Sequence, residues 1–402
     1  ILIDVPFDVS LGDVRWTERD IKRLDAWEDP RPIEPELIKR AAEMIEQAQR
    51  PVIMIGGGVI AAEASDQLRR FVDRVNIPVI HTLMAKGAFP ETHELSMGMP
   101  GMHGMAYASL ALDECDLMIV IGARFDDRIT GDPSTFARGA SVIHIDIDAA
   151  ELDKVRPTNV GINADAAEAL EMLTPACNSR QRGAWEDHLI DYRTRHPLSY
   201  PIPDEGIAPQ YVVEQLYELT GGNAIVSTEV GQNQMWAAQW YKYDYPRTFI
   251  SSGGLGTMGF GFPAAMGVKV AYPERIVFDI AGDGSIQMNI QELATCVSNK
   301  INVKIAILNN GYLGMVRQWQ ELFYKRRYSH TTLFNPDFVK LAQSYGAEGI
   351  RVTKREEVRP AIEKAIALDK VVMIDFRIEP EENVFPMVPA GEAINRMIGG
   401  MA

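Results

Sequence analysis

Two polar motifs in the C-terminal half of the chain have the residue types and the spacing of a metal site. The segment Gly282–Ser285 (GDGS) follows the apolar run Ile276–Ala281, and Asn310 ends a pair of asparagines after the apolar run Val303–Leu308. Both runs read as buried strands. The 27 positions from Asp283 to Asn310 leave room for one crossover helix. If the strands are neighbours, the two motifs meet at the carboxyl edge of a parallel sheet, where α/β folds bind ligands.

An Asp carboxylate beside an Asn amide suits a magnesium ion that bridges to a diphosphate. Mg²⁺ prefers oxygen ligands in octahedral geometry, and these two groups supply oxygens without crowding a site that also holds phosphate. The glycines that flank Asp283 let the backbone come close, and a helix predicted from Met288 would add amide donors and a positive dipole end. Two unrelated polar turns are the alternative, but their joint occurrence after two predicted strands favours the metal site.

Two further glycine-rich segments loosely match the dinucleotide fingerprint. One is Gly254-x-Gly256-x-x-Gly259, between a possible strand at Thr248–Ile250 and a predicted helix, and the other is Gly56-x-Gly58-x-x-Ala61. A nicotinamide site at the second segment would need an acidic residue about 20 positions on, where Ile80-His81-Thr82 stands instead. A nicotinamide oxidoreductase is therefore a distant alternative, and the glycines at 56–58 can equally form a simple tight turn.

The elements that must position these motifs alternate between helices and apolar strands, which is typical of parallel sheets covered on both faces. In the N-terminal half the pattern predicts helices over Pro35–Ala48 and Ala61–Arg74 and strands over Val52–Ile55, Val79–Ile80, Leu117–Ile121 and Val142–Ile147. In the C-terminal half it predicts helices over Gln210–Leu219, Pro263–Ala271, Met288–Asn299 and Glu356–Ala367 and strands over Ala224–Ser227, Ile276–Ala281, Val303–Leu308 and Val371–Phe376. The predicted fold class is α/β, with two doubly wound parallel-sheet domains in tandem.

The length of 402 residues suits two or three domains. A Pro-rich stretch from Pro197 to Pro209 marks a boundary between them. We expect a central domain over residues 31–180, a linker over 181–206 and a C-terminal domain over 207–402. The first six residues, ILIDVP, read as a strand entered in mid-course, so residues 1–30 are interpreted as the end of an upstream domain and a linker.

Charge and composition argue against several classes of function. The chain has 55 acidic and 40 basic residues, a net charge of −15, and its scattered basic residues disfavour nucleic acid as a partner. No apolar run approaches the ~18 residues of a membrane span. Cys115, Cys177 and Cys296 stand far apart without a C-x-x-C pair, which predicts core packing in a reducing compartment. The seven histidines show no metal-ligand spacing.

The GDG and NN motifs, separated by one crossover, resemble the signature of thiamine-diphosphate enzymes. The resemblance implies that Asp283 and Asn310 coordinate Mg²⁺, with the backbone carbonyl of Tyr312 as a third ligand. It implies that Met258 wedges the bent cofactor so that its amine approaches the thiazolium C2, while the carbonyl of Gly256 accepts a hydrogen bond from that amine. The remaining cofactor contacts that it implies are Val230, Gly231, Gln232, Asn233, Gly284, Ser285, Leu313 and Gly314. Many members have His in place of Asn233, but an Asn amide can also donate to phosphate.

Segments in both halves narrow the resemblance to the acetohydroxyacid synthase family. The pattern G-M-V-x-Q-W at 314–319 implies that Trp319, with Met315 beside it, lines the second-substrate pocket, although periodicity alone would read both as a core stripe. GMHG at 101–104, GARFDDR at 122–128 and HIDID at 144–148 resemble the FAD-binding central domain, and Arg128 would hold the carboxylate of the second ketoacid. An exposed ion-pair cluster is the alternative for GARFDDR. The FAD contacts implied are Gly56, Gly57, Gly58, Thr82, Leu83, Met102, His103, Gly122, Arg124, Asp126, Asp146, Ile147 and Asp165.

The resemblance implies an enzyme that decarboxylates pyruvate and transfers the two-carbon unit to pyruvate or 2-ketobutyrate, early in branched-chain amino acid biosynthesis. FAD would be structural, because the reaction has no net redox change. Catalytic subunits of the family form homodimers or tetramers, commonly with a small regulatory subunit, in the cytoplasm or in a plastid or mitochondrion. The family's activating glutamate lies on the upstream domain, so this chain alone is expected to be nearly inactive. A glyoxylate carboligase-like enzyme and a non-catalytic cofactor-binding module stay open as alternatives.

Overall fold

A computed structural model of the protein describes residues 32–399, together with residues 9, 12, 13, 15 and 17. The strand predicted at the first six residues and most of the linker predicted after it lie outside the described residues. Two parallel sheets organise the described part of the chain, the first from strands between residues 51 and 163 and the second from strands between residues 225 and 377. The predicted α/β class with two parallel-sheet domains is confirmed.

The first sheet has the strand order β2 (Val79–His81), β1 (Pro51–Ile55), β3 (Leu117–Ile121), β4 (Ser141–Asp146), β5 (Val160–Asn163), and each neighbouring pair is parallel. Strands β1 and β3 are buried at every position, as continuous apolar runs predict for strands covered on both faces. The elements in chain order are α1 (Pro35–Gln47), β1 (Pro51–Ile55), α2 (Gly57–Ala61), α3 (Ser65–Val75), β2 (Val79–His81), α4 (Ala106–Glu114), β3 (Leu117–Ile121), α5 (Asp127–Thr130), β4 (Ser141–Asp146), β5 (Val160–Asn163), α6 (Ala166–Ala176) and α7 (Ala184–Arg195).

The second sheet has the strand order β10 (Glu348–Val352), β11 (Val372–Arg377), β9 (Lys304–Asn309), β8 (Val277–Gly282), β6 (Ile225–Thr228), β7 (Phe249–Ser251), again with parallel neighbours. Its central strands β8 and β9 are almost entirely buried. The elements in chain order are α8 (Pro209–Thr220), β6 (Ile225–Thr228), α9 (Gln232–Trp240), β7 (Phe249–Ser251), α10 (Gly261–Ala271), β8 (Val277–Gly282), α11 (Leu293–Ser298), β9 (Lys304–Asn309), α12 (Gly314–Phe323), α13 (Phe338–Ser344), β10 (Glu348–Val352), α14 (Arg355–Ala367) and β11 (Val372–Arg377).

Each sheet has a point where the strand order reverses. β1 has β2 on one side and β3 on the other, and β6 has β7 on one side and β8 on the other. Such a point opens a crevice at the carboxyl ends of the strands, where ligands bind. β8 and β9 pair directly, in register from Phe278 opposite Lys304 to Gly282 opposite Leu308. The prediction that the GDGS and NN motifs follow neighbouring strands is therefore confirmed.

Two helix predictions are wrong in their bounds. The helix predicted over Ala61–Arg74 is interrupted between α2 and α3, where Glu63 has φ +54°. The helix predicted from Met288 begins only at Leu293, because two short 3-10 turns occupy residues 286–292. Between those turns Asn289 adopts φ −135° and its amide donates to the Gly259 carbonyl at 2.6 Å, a tertiary bond that competes with the helix. The dipole of a helix at Met288 is thus not available to a bound anion.

The three cysteines lie in the core. Cys115, Cys177 and Cys296 are free and buried, which confirms their predicted core role, and burial raises the pKa of each thiol to about 12.

Strands β5 and β10 were not predicted from the sequence, because only part of each is buried and neither carries a continuous apolar run. Among the described residues, the helices are too short or too polar to cross a membrane.

A buried ion pair lies where the two domains meet. Lys86 and Glu91, in the chain after β2, approach at 2.7 Å, with side chains 0% and 8% exposed. The Lys86 ammonium lies 5.2 Å from the ring centre of Tyr243 in the second domain. At Gly87, which has φ +81°, a Cβ would lie 2.0 Å from the Tyr245 carbonyl oxygen, so the two backbones are in direct contact. This pair therefore helps to fix the loop after β2 against the second domain.

Replacing Lys86 with Met should destabilise the protein by about 3 kcal/mol or more, because it leaves the Glu91 carboxylate buried without its cation. The midpoint of thermal unfolding, followed by circular dichroism, measures the loss. The control is Lys39→Met on α1, where the side chain is 65% exposed and its ion pairs with Glu36 and Glu43 span 3.9 and 4.0 Å. This control should cost less than about 1 kcal/mol. Equal losses in the two variants would contradict the role given to Lys86.

Candidate functional site

The loops after β8 and β9 bring both predicted magnesium ligands to one cavity of about 260 Å³. Asp283 and Asn310 line it and are 1% and 8% exposed. Oδ2 of Asp283 accepts hydrogen bonds from the Gly311 backbone N at 3.0 Å and from Asn335 Nδ2 at 2.6 Å. Both donors engage Oδ2, which leaves Oδ1 as the ligand atom for a cation. Burial raises the pKa of Asp283 to about 6, so a nearby cation would stabilise its carboxylate form.

The second predicted ligand, Asn310, is held at both ends of its carboxamide. Its Oδ1 accepts from the Tyr312 backbone N at 3.0 Å, and its Nδ2 donates to Gln232 Oε1 at 3.2 Å. Tyr312 lines the same cavity. Within residues 32–399 no three His, Cys, Asp or Glu side chains are grouped as a metal site. A metal in this cavity would therefore depend on one carboxylate, one amide oxygen and a backbone carbonyl, which is the donor set implied by the family resemblance.

The loop after β6 borders the same cavity through Val230, Gly231, Gln232 and Asn233. Helix α9 begins here, and its first amides have no partner within the helix, an arrangement that suits phosphate oxygens. Asn233 donates one N–H to the Ile280 carbonyl at 2.8 Å, which leaves its second N–H for an anion.

The side-chain amide of Gln232 has partners within the protein, which limits its predicted contact with the diphosphate to the backbone. Its Nε2 donates to Gln318 Oε1 at 2.8 Å and to the Glu382 carbonyl at 3.0 Å. Its Oε1 accepts from Asn310 at 3.2 Å. The side chain is committed to the protein, so only the backbone of Gln232 is left to meet a phosphate. The sequence does not show this, because the partners are about 80 to 150 positions away.

Glycines give the cavity its shape. A Cβ at Gly282 would lie 3.2 Å from Asn233 Oδ1, and a Cβ at Gly284 would lie 3.0 Å from carbons of Leu313 and Leu333. Ser285 closes the turn, with its hydroxyl bonded to the Gly282 backbone at 3.2 and 3.3 Å. A buried carboxylate, an amide oxygen, a glycine-lined wall and a helix N-terminus together fit magnesium and a diphosphate. Gly284, Ser285, Leu313 and Gly314, all predicted cofactor contacts, line this cavity.

The loop between β7 and α10 carries Gly256 and Met258 to the cavity, as predicted. Gly256 has φ +66°, a conformation that favours glycine. The far end of the loop is held by Glu229, a fully buried residue. Its carboxylate accepts from the backbone N of Gly259 at 2.6 Å and of Phe262 at 3.0 Å. This clamp fixes the segment that presents Met258.

A second buried carboxyl group, Asp279 on β8, lies beside Glu229. Asp279 is 0% exposed, and its Oδ2 has no hydrogen-bond partner among the described residues. Burial, followed by the charge of Glu229, raises the pKa of Asp279 well above its usual range. Two adjacent buried carboxyl groups favour a state in which only one of them is ionised. Glu229 has the backbone donors that stabilise a carboxylate, so we assign the proton to Asp279. Neither role could be read from the sequence, where Asp279 sits within an apolar strand.

A larger cleft of about 1120 Å³ lies between the domains and shares Val230, Gly231, Gly256, Met315 and Val316 with the first cavity. It brings together residues from the loops after β1, β2, β3 and β4. The predicted FAD contacts that line it are Gly56, Gly57, Gly58, Thr82, Leu83, Met102, His103, Gly122, Arg124, Asp126 and Asp146. The cleft is large enough for a dinucleotide, which supports the predicted flavin site.

The glycines at the ends of β1 and β3 have a structural role as well. The Gly58 backbone N donates to the Gly122 carbonyl at 2.9 Å. A Cβ at Gly56 would lie 2.1 Å from the Gly122 carbonyl oxygen, and one at Gly58 would lie 2.6 Å from its Cα. The tight-turn interpretation therefore holds for Gly56 and Gly58 whether or not a nucleotide binds there.

Two predicted FAD contacts lie outside the cleft, and a third is partly committed to the protein. Asp165 caps α6 by accepting from the backbone N of Ala167 at 2.8 Å, and Ile147 is 49% exposed but does not line the cleft. Asp126 does line it, but its carboxylate caps α5 through the Arg128 N at 3.1 Å and approaches Arg124 at 3.4 Å. The GARFDDR segment therefore contains a solvent-exposed ion pair, as the alternative interpretation predicted, and both of its residues, Arg124 and Asp126, line the cleft.

Residues from both domains form the far wall of this cleft. Arg128, whose side chain is 63% exposed, lies with Nη1 3.8 Å from Met102 Sδ. Burial and the charge of Arg128 lower the pKa of His103 to about 4, so this imidazole is neutral at pH 7. Trp319 and Met315 line the cleft from α12. Because Trp319 faces the cleft and not the core, the core-stripe alternative does not account for it.

Replacing Asp279 with Asn should stabilise the protein increasingly as the pH rises. A carboxyl group whose pKa is raised by folding contributes its full stability below the unfolded pKa of about 4 and loses it as the pH rises toward the folded value, whereas Asn does not titrate. The difference in the free energy of unfolding between the Asp279→Asn variant and wild type should widen by up to ~1.4 kcal/mol per pH unit above the unfolded pKa. Unfolding midpoints of both proteins from pH 4 to 8 measure it, with Asp73→Asn on the exposed face of α3 as control. A gap that does not change with pH would contradict the assignment.

Comparison with known proteins agrees with this geometry. Residues 229–376 match the thiamine pyrophosphate enzyme C-terminal TPP binding domain, and residues 38–173 match the thiamine pyrophosphate enzyme central domain. Over 98% of its length the chain is 46% identical to the acetolactate synthase large subunit of Corynebacterium glutamicum, of which it covers 65%. It is 45% identical to a Mycobacterium tuberculosis large subunit over 97% of its length, covering 65% of it, and 43% identical to chloroplastic acetolactate synthase 1 of Nicotiana tabacum over 99%, covering 62%.

The chain therefore spans just under two thirds of the length of these relatives. Both domain matches coincide with the two sheets described above, and the C-terminal match includes the cavity that holds Asp283 and Asn310. The chain belongs to the family of thiamine pyrophosphate enzymes, whose central domain and C-terminal TPP binding domain it carries, and the relatives named above, which are similar to it over nearly its whole length, are acetolactate synthases.

Proposed function

We propose that the enzyme containing this chain is an acetolactate synthase that uses thiamine diphosphate, Mg²⁺ and FAD to join the two-carbon unit of pyruvate to a second 2-ketoacid. The observation that carries the proposal is the convergence of Asp283 and Asn310 on one cavity, which is continuous with a cleft lined by Arg128 and Trp319. The first pair suits a magnesium-bound diphosphate. Arg128 and Trp319 suit a small carboxylic acid that has an alkyl end.

In the first cavity, Asp283, Asn310 and the Tyr312 carbonyl would hold the metal. Thiamine diphosphate, when bound, supplies the electron sink that lets pyruvate lose carbon dioxide. Met258 would support the cofactor from below, and the Gly256 carbonyl would accept a hydrogen bond from its amine. The Glu229 carboxylate keeps this loop in place through its bonds to the Gly259 and Phe262 backbone.

In the cleft, Arg128 would bind the carboxylate of the second ketoacid. A guanidinium is permanently charged and can donate two parallel hydrogen bonds to a carboxylate. Trp319 and Met315 would bound the alkyl end, where 2-ketobutyrate differs from pyruvate by one methylene. An extra methylene against an apolar wall is worth about 1 to 3 kcal/mol, which is enough to set a preference between these two acids.

FAD would occupy the interdomain cleft beside the glycine turns after β1 and β3, with Arg124 toward the nucleotide. Its role there is structural, because the condensation has no net change in oxidation state. We also propose that the catalytic chain assembles with copies of itself, as dimers or tetramers, and with a smaller regulatory subunit, in the cytoplasm or a plastid. The name of one relative as a large subunit supports a second type of subunit, and the name of another as chloroplastic supports a plastid.

The proposal is tested by incubating the complete enzyme that contains this chain with pyruvate, thiamine diphosphate and Mg²⁺ and quantifying acetolactate. Acetolactate should form with pyruvate alone, and acetohydroxybutyrate should form when 2-ketobutyrate is added. Glyoxylate in place of pyruvate should give little product. Product from glyoxylate only would support a carboligase of different specificity, and no product from any of these acids would contradict the proposal.

Replacing Trp319 with Leu should reduce the preference for 2-ketobutyrate over pyruvate by about tenfold, because the wall that contacts the extra methylene is shortened. Competition between the two acids at fixed concentrations, with both products quantified, measures this ratio. Phe334→Leu is the control, since Phe334 is fully exposed and does not line the cleft. An unchanged ratio in the Trp319 variant would remove this residue from the specificity wall.

Replacing Arg124 with Met should weaken FAD binding by about tenfold or more, the loss expected for one charge-assisted hydrogen bond in a partly exposed site. The flavin retained after gel filtration, read from the visible spectrum, reports the effect. Arg138→Met is the control, because the Arg138 guanidinium donates only to the nearby Ser134 carbonyl, outside the cleft. Wild-type protein that binds no flavin, even with FAD added, would contradict the flavin site itself.

A further inference from the structure

Two buried glutamines connect helix α12 to the predicted metal ligand Asn310. Gln318, on α12, is 0% exposed, and Gln232, at the start of α9, is 3% exposed. Buried side-chain amides are costly unless both ends are hydrogen-bonded. Both glutamines meet this requirement through each other and through the backbone of residues 382–384.

The orientation of Gln318 is fixed by a single residue. The Val384 backbone N donates to Gln318 Oε1 at 2.9 Å, and Gln318 Nε2 donates to the Val384 carbonyl at 3.1 Å. A backbone N–H can only donate and a carbonyl can only accept. The oxygen and nitrogen ends of the Gln318 amide therefore cannot exchange places without losing both bonds.

The orientation of Gln318 determines that of Gln232. Gln232 Nε2 donates to Gln318 Oε1 at 2.8 Å and to the Glu382 carbonyl at 3.0 Å. Both partners are acceptors, so the nitrogen end of Gln232 must point toward them. Its oxygen end then accepts from Asn310 Nδ2 at 3.2 Å.

The same logic sets the Asn310 amide. With Nδ2 directed to Gln232, Oδ1 is the end that accepts from the Tyr312 backbone N at 3.0 Å. The two ends of a carboxamide have nearly the same shape, but only the oxygen binds Mg²⁺. An Asn310 amide turned by 180° would direct its N–H groups at the cation and repel it.

A glycine keeps the junction of these amides open. A Cβ at Gly314 would lie 2.1 Å from Gln232 Oε1 and 2.7 Å from Asn310 Nδ2. Any side chain there would separate the two amides. The first residue of α12 and the fifth thus support the same hydrogen-bond chain, one by leaving space and one by supplying a fixed acceptor.

We propose that Gln318 is a positioning residue for the metal site. Through Gln232, it holds the Asn310 carboxamide with its oxygen toward the magnesium ion. Gln318 touches neither metal nor substrate and acts only through the two amides between them. This inference rests on the proposed function, because it takes Asn310 as a ligand of Mg²⁺.

The test compares Mg²⁺ binding by Gln318→Met and by wild type, using the complete enzyme saturated with thiamine diphosphate. Met has similar length but cannot accept or donate the bonds, so Gln232 loses one of its two acceptors. The dissociation constant for Mg²⁺, measured by titration calorimetry, should rise by about tenfold or more, as for other residues that orient metal ligands. With Mn²⁺ as the probe, the electron paramagnetic resonance line shape should change as well.

Gln320→Met is a matched control on the same helix. Gln320 also holds a backbone pair, accepting from the Ser329 N at 3.0 Å and donating to the Ser329 carbonyl at 3.0 Å, but it does not contact Gln232. Its Mg²⁺ affinity should stay within about twofold of wild type. Equal affinities in the two glutamine variants would overturn the inference, since general damage to α12 would then explain any loss.

Gly314→Ala provides a second route to the same chain, with Gln318 left in place. This substitution should weaken Mg²⁺ binding by a similar factor. The double variant should bind Mg²⁺ no more weakly than the single variant with the lower affinity, because both substitutions break the same hydrogen-bond chain. Additive losses would overturn the inference, and Gly314→Ala alone decides it if Gln318→Met does not fold. A wild-type enzyme that binds no Mg²⁺ in the presence of thiamine diphosphate would overturn both the inference and the proposed function, whereas wild-type binding with an unaffected Gly314 variant would overturn the inference alone.

Discussion

The parallel pairing of β8 with β9 is the constraint on which the rest of the structure depends. It places a carboxylate at the end of one strand and a carboxamide at the end of the next, so that Asp283 and Asn310 meet on one cavity. The reversal of strand order beside β6 opens the crevice for a diphosphate at this edge. The same rule in the first sheet opens the crevice where we propose that a nucleotide binds, and the two crevices share Gly256 and Met315.

Each functional group in the first cavity is held by buried polar residues behind it. Asn335 fixes one oxygen of Asp283, and Asn309 in turn accepts from Asn335 at 3.2 Å and donates to Asp375 at 2.7 Å. The amide chain from α12 holds Asn310, and Glu229 holds the loop of Met258. Such satisfied networks restrict each predicted ligand to one geometry, as the proposed metal site requires.

How far the sequence predicts this arrangement depends on the range of the interactions. The strand-end motifs and the glycine turns are local patterns, and the alternation of helices and strands brings them to the correct edges. The partners of Gln232 and the pairing of Glu229 with Asp279 depend on residues far apart in the chain, so no local pattern indicates them. The helix predicted to begin at Met288 was wrong for the same reason, because the Asn289 side chain donates a hydrogen bond to a distant loop. Asp165, a predicted FAD contact, caps α6 and does not line the cleft.

The central claim is that one carboxylate and one carboxamide share a magnesium ion that holds a diphosphate. The most direct measurement is an anomalous difference map from crystals of the complete enzyme grown with thiamine diphosphate and Mn²⁺ in place of Mg²⁺. The account predicts one strong peak within about 2.0 to 2.4 Å of both Asp283 Oδ1 and Asn310 Oδ1, beside the diphosphate. A peak that contacts only one of these residues, or a diphosphate bound elsewhere, would contradict it.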